Sequence, residues 1–191
     1  MFGLGNKTGL DVPDEASAYT GNVSEPGMLL NYSIGQLDMY TPVQLLTYVS
    51  TIATGGTLYK PTLMQSIREV NSEQVIQTGP GQVQNVLPEK NKAYLERVQM
   101  GFRDCVLAGN ASEALQKMSE GIAGKTGTAE VTEWTTAVFV GYAPYDKPEV
   151  SFACVAPTSS INEQNVAPNI CSYEVTPLVL NRYFSLYPVT E

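Results

Sequence analysis

The chain has 191 residues, 43% of them apolar and 16% charged, enough to bury one sizeable core and too apolar for a disordered tail. Eleven Lys and Arg against nineteen Asp and Glu leave a formal charge of -8 without any basic run, which disfavours a nucleic-acid partner. Histidine is absent and Cys105, Cys154 and Cys171 show no CxxC spacing, so neither a conventional zinc site nor a Ser-His-Asp or Cys-His pair can be built here, and the cysteines read as small buried hydrophobes.

The stretch from Met1 to Asn31 is rich in glycine and turn residues and reads as an ordered loop region with one short strand around Leu10-Asp11-Val12. Its opening, Met1-Phe2-Gly3-Leu4-Gly5, reads as the interior of a longer protein, and no signal peptide or apolar membrane span is visible. Thr41-Pro42-Val43-Gln44 combines an N-cap hydroxyl, proline at N1 and glutamine at N3, the pattern of a capping box. Val43, Leu46, Val49 and Ala53 follow at helical spacing, with Leu45 and Ile52 widening the face, until Gly55-Gly56 stops the helix.

Residues 57–70 read as extended, with Glu73 to Gln77 as a hairpin partner and residues 79–87 as a connection. A second long helix is expected from Pro88 to Leu107, its buried stripe formed by Tyr94, Val98, Phe102 and Val106 with Leu95 beside them. Ser112 to Ser119 suggests a short helix. Three strands then follow, Ile122 to Glu130, Thr135 to Tyr142 and Val150 to Ala156. A terminal helix from Thr176 to Phe184 is expected to bury Val179, Leu180 and Tyr183. Helices around an antiparallel sheet make an α+β fold.

The informative motif is Gly124-Lys125-Thr126-Gly127-Thr128-Ala129-Glu130. Lys125 offers three donors and a positive charge, Thr126 and Thr128 offer hydroxyls, and Gly127 lets a ligand approach the backbone. On a strand Lys125, Gly127 and Ala129 share one phase and the threonines the other. A phosphate-binding loop would need GxxxxGK[ST] at a strand-to-helix turn, and neither the spacing nor the context fits. Lys7-Thr8-Gly9 repeats the tripeptide in a loop context that suggests no catalytic role.

KTG after a helix and before two strong strands resembles the third active-site motif of penicillin-binding proteins and serine β-lactamases. The likeness extends to Met28 through Gln36, to Thr41-Pro42-Val43-Gln44-Leu45, to Ala53 through Thr57, to Phe139 through Pro144 and to Val166-Ala167-Pro168. Together these resemble a monofunctional class B penicillin-binding protein, similar to the peripheral-growth enzymes of Gram-positive cocci. The chain departs from the pattern at Leu37, where the family often has glycine after IGQ.

The resemblance implies that residues 1–191 are the C-terminal portion of a transpeptidase domain whose SxxK and SxN motifs precede Met1. The nucleophilic serine of the missing part would attack a penultimate D-alanine, and an amine of a neighbouring peptidoglycan stem peptide would take the acyl group. β-Lactams would acylate the same serine. Lys125 would draw the substrate carboxylate, Thr126 and Thr128 would bind or orient it, Gly127 would admit it, and the Thr128 N–H would supply half of an oxyanion hole. No cofactor and no metal are expected, and the isolated chain is expected to be inactive. The resemblance also implies an extracytoplasmic, membrane-anchored setting.

Several residues keep two readings. Trp134 and Tyr142 either border the cleft or pack in the fold, Glu130 either tunes the motif or is a surface charge, and Asn31 and Gln36 either hold a loop near the cleft or only satisfy a turn. Tyr40 reads as an anchor for the first helix. The rival function is a non-catalytic sensor of peptidoglycan or β-lactam built on the same fold.

Overall fold

The structure is a computed structural model that describes residues 2–21, 24, 27–79, 81–131, 134–161 and 169–189, with backbone alone at 130, 131, 134 and 158–161. The stretch Val166-Ala167-Pro168 and the side chains of Glu130 and Trp134 therefore lie outside the described residues.

Three strands, β5 (Ala123–Val131), β6 (Trp134–Ala143) and β7 (Val150–Ile161), form the antiparallel sheet expected after Gly121, in the order β5-β6-β7. Direct cross-strand partners include Lys125 with Val140, Gly127 with Val138 and Thr128 with Ala137. Alternation along β6 sends Val140 and Tyr142 to one face and Phe139 to the other. On the first face they join Val49, Ile52 and Ala53 of α2 (Pro42–Ala53) and Leu95 and Phe102 of α3 (Lys92–Ala108). On the second face Phe139 meets Val106, Leu115 of α4 (Glu113–Gln116), and Leu180 and Phe184 of α5 (Thr176–Leu186). Each large side chain buried this way contributes about 1.5–3 kcal/mol before entropy is counted.

The capping box of α2 forms as the sequence expects. Gln44 N donates to Thr41 Oγ1 at 3.2 Å and Thr41 N donates to Gln44 Oε1 at 3.0 Å. The buried face of α2 differs from the apolar reading, because Gln44, Thr47 and Thr51 are buried while Val43 and Leu46 are half-buried. Polar groups enter the core here because each is satisfied. Thr47 Oγ1 donates to Val43 O, Thr51 Oγ1 to Thr47 O, and Gln44 Nε2 to Asn6 O at 2.7 Å.

Four expectations need correction. Helix α3 begins after a 3₁₀ turn (Glu89–Asn91) and buries Leu95, Phe102 and Val106, whereas Tyr94 is 70% and Val98 41% exposed. The stripe is rotated because Gln99 faces inward and donates to Ile52 O at 2.7 Å. Residues 79–87 are more than a connection: β4 (Val83–Val86) pairs with β1 (Thr57–Tyr59), while β2 (Ser66–Arg68) and β3 (Val75–Thr78) form the expected hairpin. Residues 28–33 form a short helix, α1 (Met28–Ser33), within the expected loop region, and the strand contact there is a bridge between Tyr19 and Met39. Finally, α5 follows a π-helical turn (Cys171–Val175) and buries Thr176, Pro177, Leu180 and Phe184, leaving Val179 exposed and Tyr183 half-buried.

Two of the cysteines are more than apolar filler. Cys154 on β7 and Cys171 on the π-helical turn are joined by a disulfide with Cα atoms 5.6 Å apart, and Cys105 is free. Cys154 lies opposite Phe139 in register, which points it toward the face where Cys171 sits. Among the described residues no helix is long and apolar enough to cross a membrane.

Candidate active site

Strand β5 is built to be fixed at its start and open beyond it. At its start, Ile122 and Ala123 are fully buried, and Arg103 of α3 donates to Ile122 O at 2.7 Å while its guanidinium lies 6.0 Å from the Tyr145 ring centroid. Gly124 faces Gly141 across the pair, and a Cβ on Gly124 would fall 2.6 Å from Phe139 Cζ, so close packing requires glycine there. From Lys125 onward the strand emerges: Lys125, Gly127, Thr128 and Ala129 are exposed and Thr126 is half-buried. Among the described residues β5 pairs only with β6, so alternate N–H and C=O groups along its outer side face away from the sheet.

Facing this strand is the loop after α1. It forms a cavity of about 440 Å³ whose walls are Ile34 to Met39 on one side and Gly127, Thr128, Ala129 and Val138 on the other. The loop is folded by backbone bonds, from Gly35 N to Tyr32 O and from Gln36 N to Asn31 O, both 3.0 Å, with Gly35 at φ +84°. Leu37 adopts φ +81°, a left-handed conformation rare for a bulky side chain, at the position where the sequence departs from the glycine pattern.

Asp38 holds the loop in place. Its Oδ1 accepts from Gly21 N at 3.0 Å and its Oδ2 from Tyr40 OH at 2.5 Å, while Tyr32 OH lies 3.0 Å from Oδ1 and 2.7 Å from Gly21 O. The Tyr40 hydrogen bond lowers the Asp38 pKa despite partial burial, so the group is anionic at neutral pH. Burial and then Asp38 push the Tyr40 phenol up to about 12.

The four motif residues do not all meet in this cavity. Gly127 and Thr128 line it, whereas Lys125 and Thr126 do not, and Lys125 Nζ folds back to donate to Thr126 O at 2.7 Å. Gln36 lines the cavity, and Asn31 acts through its carbonyl in closing the turn. Tyr40 anchors the loop by way of Asp38 rather than the helix start. Tyr142 is fully buried and belongs to the core; its hydroxyl has no partner among the described residues, and burial pushes its phenol pKa up. The other KTG is a structural knot: Thr8 is buried, its N–H and hydroxyl both lie 2.6 Å from Glu15 Oε1, and Gly9 N donates to Glu15 Oε2 at 2.9 Å.

Sequence reasoning missed Asp38, Ile34, Met39 and Val138 as cavity walls. The available signal was local, an acidic residue with tyrosine two residues after it and six before it, and a leucine in a glycine's place.

Comparison with known proteins places this architecture. The penicillin-binding protein transpeptidase domain family matches residues 1–172. Penicillin-binding protein 2A of Bacillus subtilis (strain 168) is 38% identical over 97% of this chain, which spans 28% of that protein. The solved structure of penicillin-binding protein 2B from Streptococcus pneumoniae (strain R6) aligns with all of this chain at TM-score 0.82 and 27% identity, again over 32% of its own length. An imipenem acyl-enzyme complex of penicillin-binding protein A from M. tuberculosis aligns with 84% of the chain and 38% of its own, at TM-score 0.65 and 26% identity. The chain thus spans about a third of the length of its relatives or less. It belongs to the transpeptidase domain family of penicillin-binding proteins, on the class B side of that family.

Proposed function

We propose that this chain is the C-terminal portion, residues 1–191, of a peptidoglycan D,D-transpeptidase domain and that it supplies the KTGT wall of a shared site. The observation that carries the reading is the outer edge of β5, which pairs only with β6 among the described residues, beside a cavity that Gly127 and Thr128 line. A free strand edge pairs with an extended peptide through main-chain hydrogen bonds, and glycine at position 127 leaves room for its close approach.

The upstream portion of the same domain supplies the serine nucleophile of SxxK and the hydroxyl of SxN. The serine oxygen attacks the carbonyl of the penultimate D-alanine, and the tetrahedral oxyanion is held by the serine's own N–H and by the N–H of Thr128. Collapse breaks the C–N bond, and the leaving terminal D-alanine takes a proton. An amine from a second stem peptide then attacks the ester, forms the cross-linking amide and restores the serine. Lys125 leaves the Thr126 carbonyl to sit beside the SxN hydroxyl, and its positive potential favours the terminal carboxylate that Thr126 and Thr128 orient. β-Lactams acylate the same serine. The remainder of the protein anchors the domain to the membrane on its outer side.

Intact-mass measurement of the full-length protein after incubation with a β-lactam tests this reading. One adduct on a serine upstream of Met1 is expected, with none on the 191-residue chain alone. Folded full-length protein that takes no adduct sinks it. A sensor of the same fold would acylate yet form no cross-linked product from a D-Ala-D-Ala donor and an amine acceptor.

A further inference from the structure

The disulfide and the strand that carries KTGT meet through β6. Cys154 lies directly opposite Phe139, and Ala137, two residues earlier on β6, lies opposite both Thr128 on β5 and Ala156 on β7. Directly opposed residues of an antiparallel pair share a face, so Thr128, Ala137, Phe139 and Cys154 all stand on the second face of the sheet, where Cys171 is buried. Cys171 Sγ lies 3.6 Å from Ala137 O. Phe139, opposite Cys154, is the residue whose ring a Cβ on Gly124 would strike. The two bridged residues thus meet β6 at the two places where that strand backs Gly124 and Thr128.

The β6–β7 ladder supplies a second, independent observation. Its register shifts between Ala137, opposite Ala156, and Thr135, opposite Ser160, so that residues 157–159 of β7 stand against Thr136 alone. Pro157, the first of them, has no N–H to give to a ladder. A bulge of this kind bends the strand and interrupts regular pairing. The interruption falls at the level of Thr128. There the π-helical turn Cys171–Val175 packs against β6, and the disulfide ties that turn to the regular part of β7 just before the bulge.

We propose that the Cys154–Cys171 disulfide is a positioning group for acyl transfer: by pinning the π-helical turn beside Ala137 it fixes β6 next to Thr128, and with it the Thr128 N–H that holds the oxyanion. The inference rests on the transpeptidase reading and adds a covalent support to it. A donor aimed at a developing oxyanion acts in full only when its position is set in advance, and a misplacement of about 1 Å can cost about 100-fold in rate. The bridge itself touches no substrate. A dithiol opens it by exchange: the S–S bond breaks, its sulfurs become two thiols, and both hydrogens come from the dithiol, which is oxidised to its cyclic disulfide.

The test uses the full-length protein and a chromogenic cephalosporin, with the acylation rate constant and the number of acylated sites read separately from the same burst. Protein reduced with dithiothreitol and then freed of it is compared with untreated protein and with Cys154→Ala/Cys171→Ala, and differential alkylation with peptide mapping identifies the open sulfurs. The rate constant per acylated site is expected to fall about tenfold in the reduced protein and in the double variant. Reoxidation should restore the wild type, and dithiothreitol should leave the variant unaffected. An unchanged rate constant with fewer acylated sites overturns the inference, since the bridge would then be a cross-link of the fold only. A double variant that still responds to dithiothreitol also overturns it, by placing the sensitivity on another thiol. Where the bridge resists reduction the double variant decides, and where the variant fails to fold the reduced wild type does. Untreated protein that takes no adduct removes this inference and the transpeptidase reading together, whereas acylation indifferent to the bridge removes this inference alone.

Discussion

At the scale of single residues, the two glycines of the motif separate packing from chemistry. A Cβ on Gly124 would meet Phe139 Cζ at 2.6 Å and Val140 O at 2.9 Å, whereas one on Gly127 would meet nothing nearer than Val138 Cβ at 3.6 Å. Gly124→Ala is therefore expected to destabilise the fold by roughly 1–3 kcal/mol, visible in denaturant unfolding. Gly127→Ala should leave the unfolding midpoint nearly unchanged and instead slow β-lactam acylation of the full-length protein about tenfold or more. An unfolding midpoint that drops as far for Gly127→Ala as for Gly124→Ala would remove the distinction. Tyr142 gives a prediction of opposite sign. Its buried hydroxyl lacks a partner among the described residues, so Tyr142→Phe should be neutral or stabilising by up to about 1 kcal/mol.

At the scale of elements, what the sequence made legible was what depends on neighbours along the chain. The capping box at Thr41 and Gln44, the short helix after Ser112 and the three β-branched strands were readable because their signals lie within a few residues. The rotation of α3 was not readable, since it depends on Gln99 reaching Ile52 O across to another helix. Nor was the pairing of Val83–Val86 with Thr57–Tyr59, which joins segments on either side of an intervening hairpin. Gln44 unites both kinds of contact, capping its own helix and reaching Asn6 O. Gln44→Leu keeps the bulk and loses both contacts, so a loss of about 1–3 kcal/mol is expected in thermal or denaturant unfolding. A change below about 0.5 kcal/mol would show that the buried amide contributes nothing beyond its volume.

At the scale of the whole molecule, the site followed the same rule: the strand that carries KTGT was evident and Asn31 and Gln36 pointed to a loop near it, but what holds that loop was not legible, because Asp38 acts through Gly21, Tyr32 and Tyr40. Two carboxylates link this arrangement to pH. The Tyr40 hydroxyl lowers Asp38; for Glu15, burial acts upward and is outweighed by hydrogen bonds from the Thr8 hydroxyl and the amides of Thr8 and Gly9. A depressed folded-state pKa stabilises above the unfolded value and loses that contribution as pH falls through the folded one. Stability should therefore hold from neutral pH down to the ordinary unfolded values of 3.8 for Asp38 and 4.5 for Glu15 and decline below them, with a shallower decline in Asp38→Asn and Glu15→Gln. The disulfide makes a further count. Denatured, unreduced protein should take one thiol-alkylating label, at Cys105, and three after reduction. Three labels before reduction would exclude the cross-link between β7 and the turn before α5.

The one-sided pairing of β5 also bears on how the chain behaves in a test tube. With β5 paired only to β6 among the described residues, and with Leu29 and Leu30 on α1 67% and 73% exposed, its outer edge is a template for another copy as much as for a substrate. The 191-residue chain alone should accordingly self-associate with rising concentration in sedimentation experiments, and a short extended peptide that occupies the edge should act as its solubiliser.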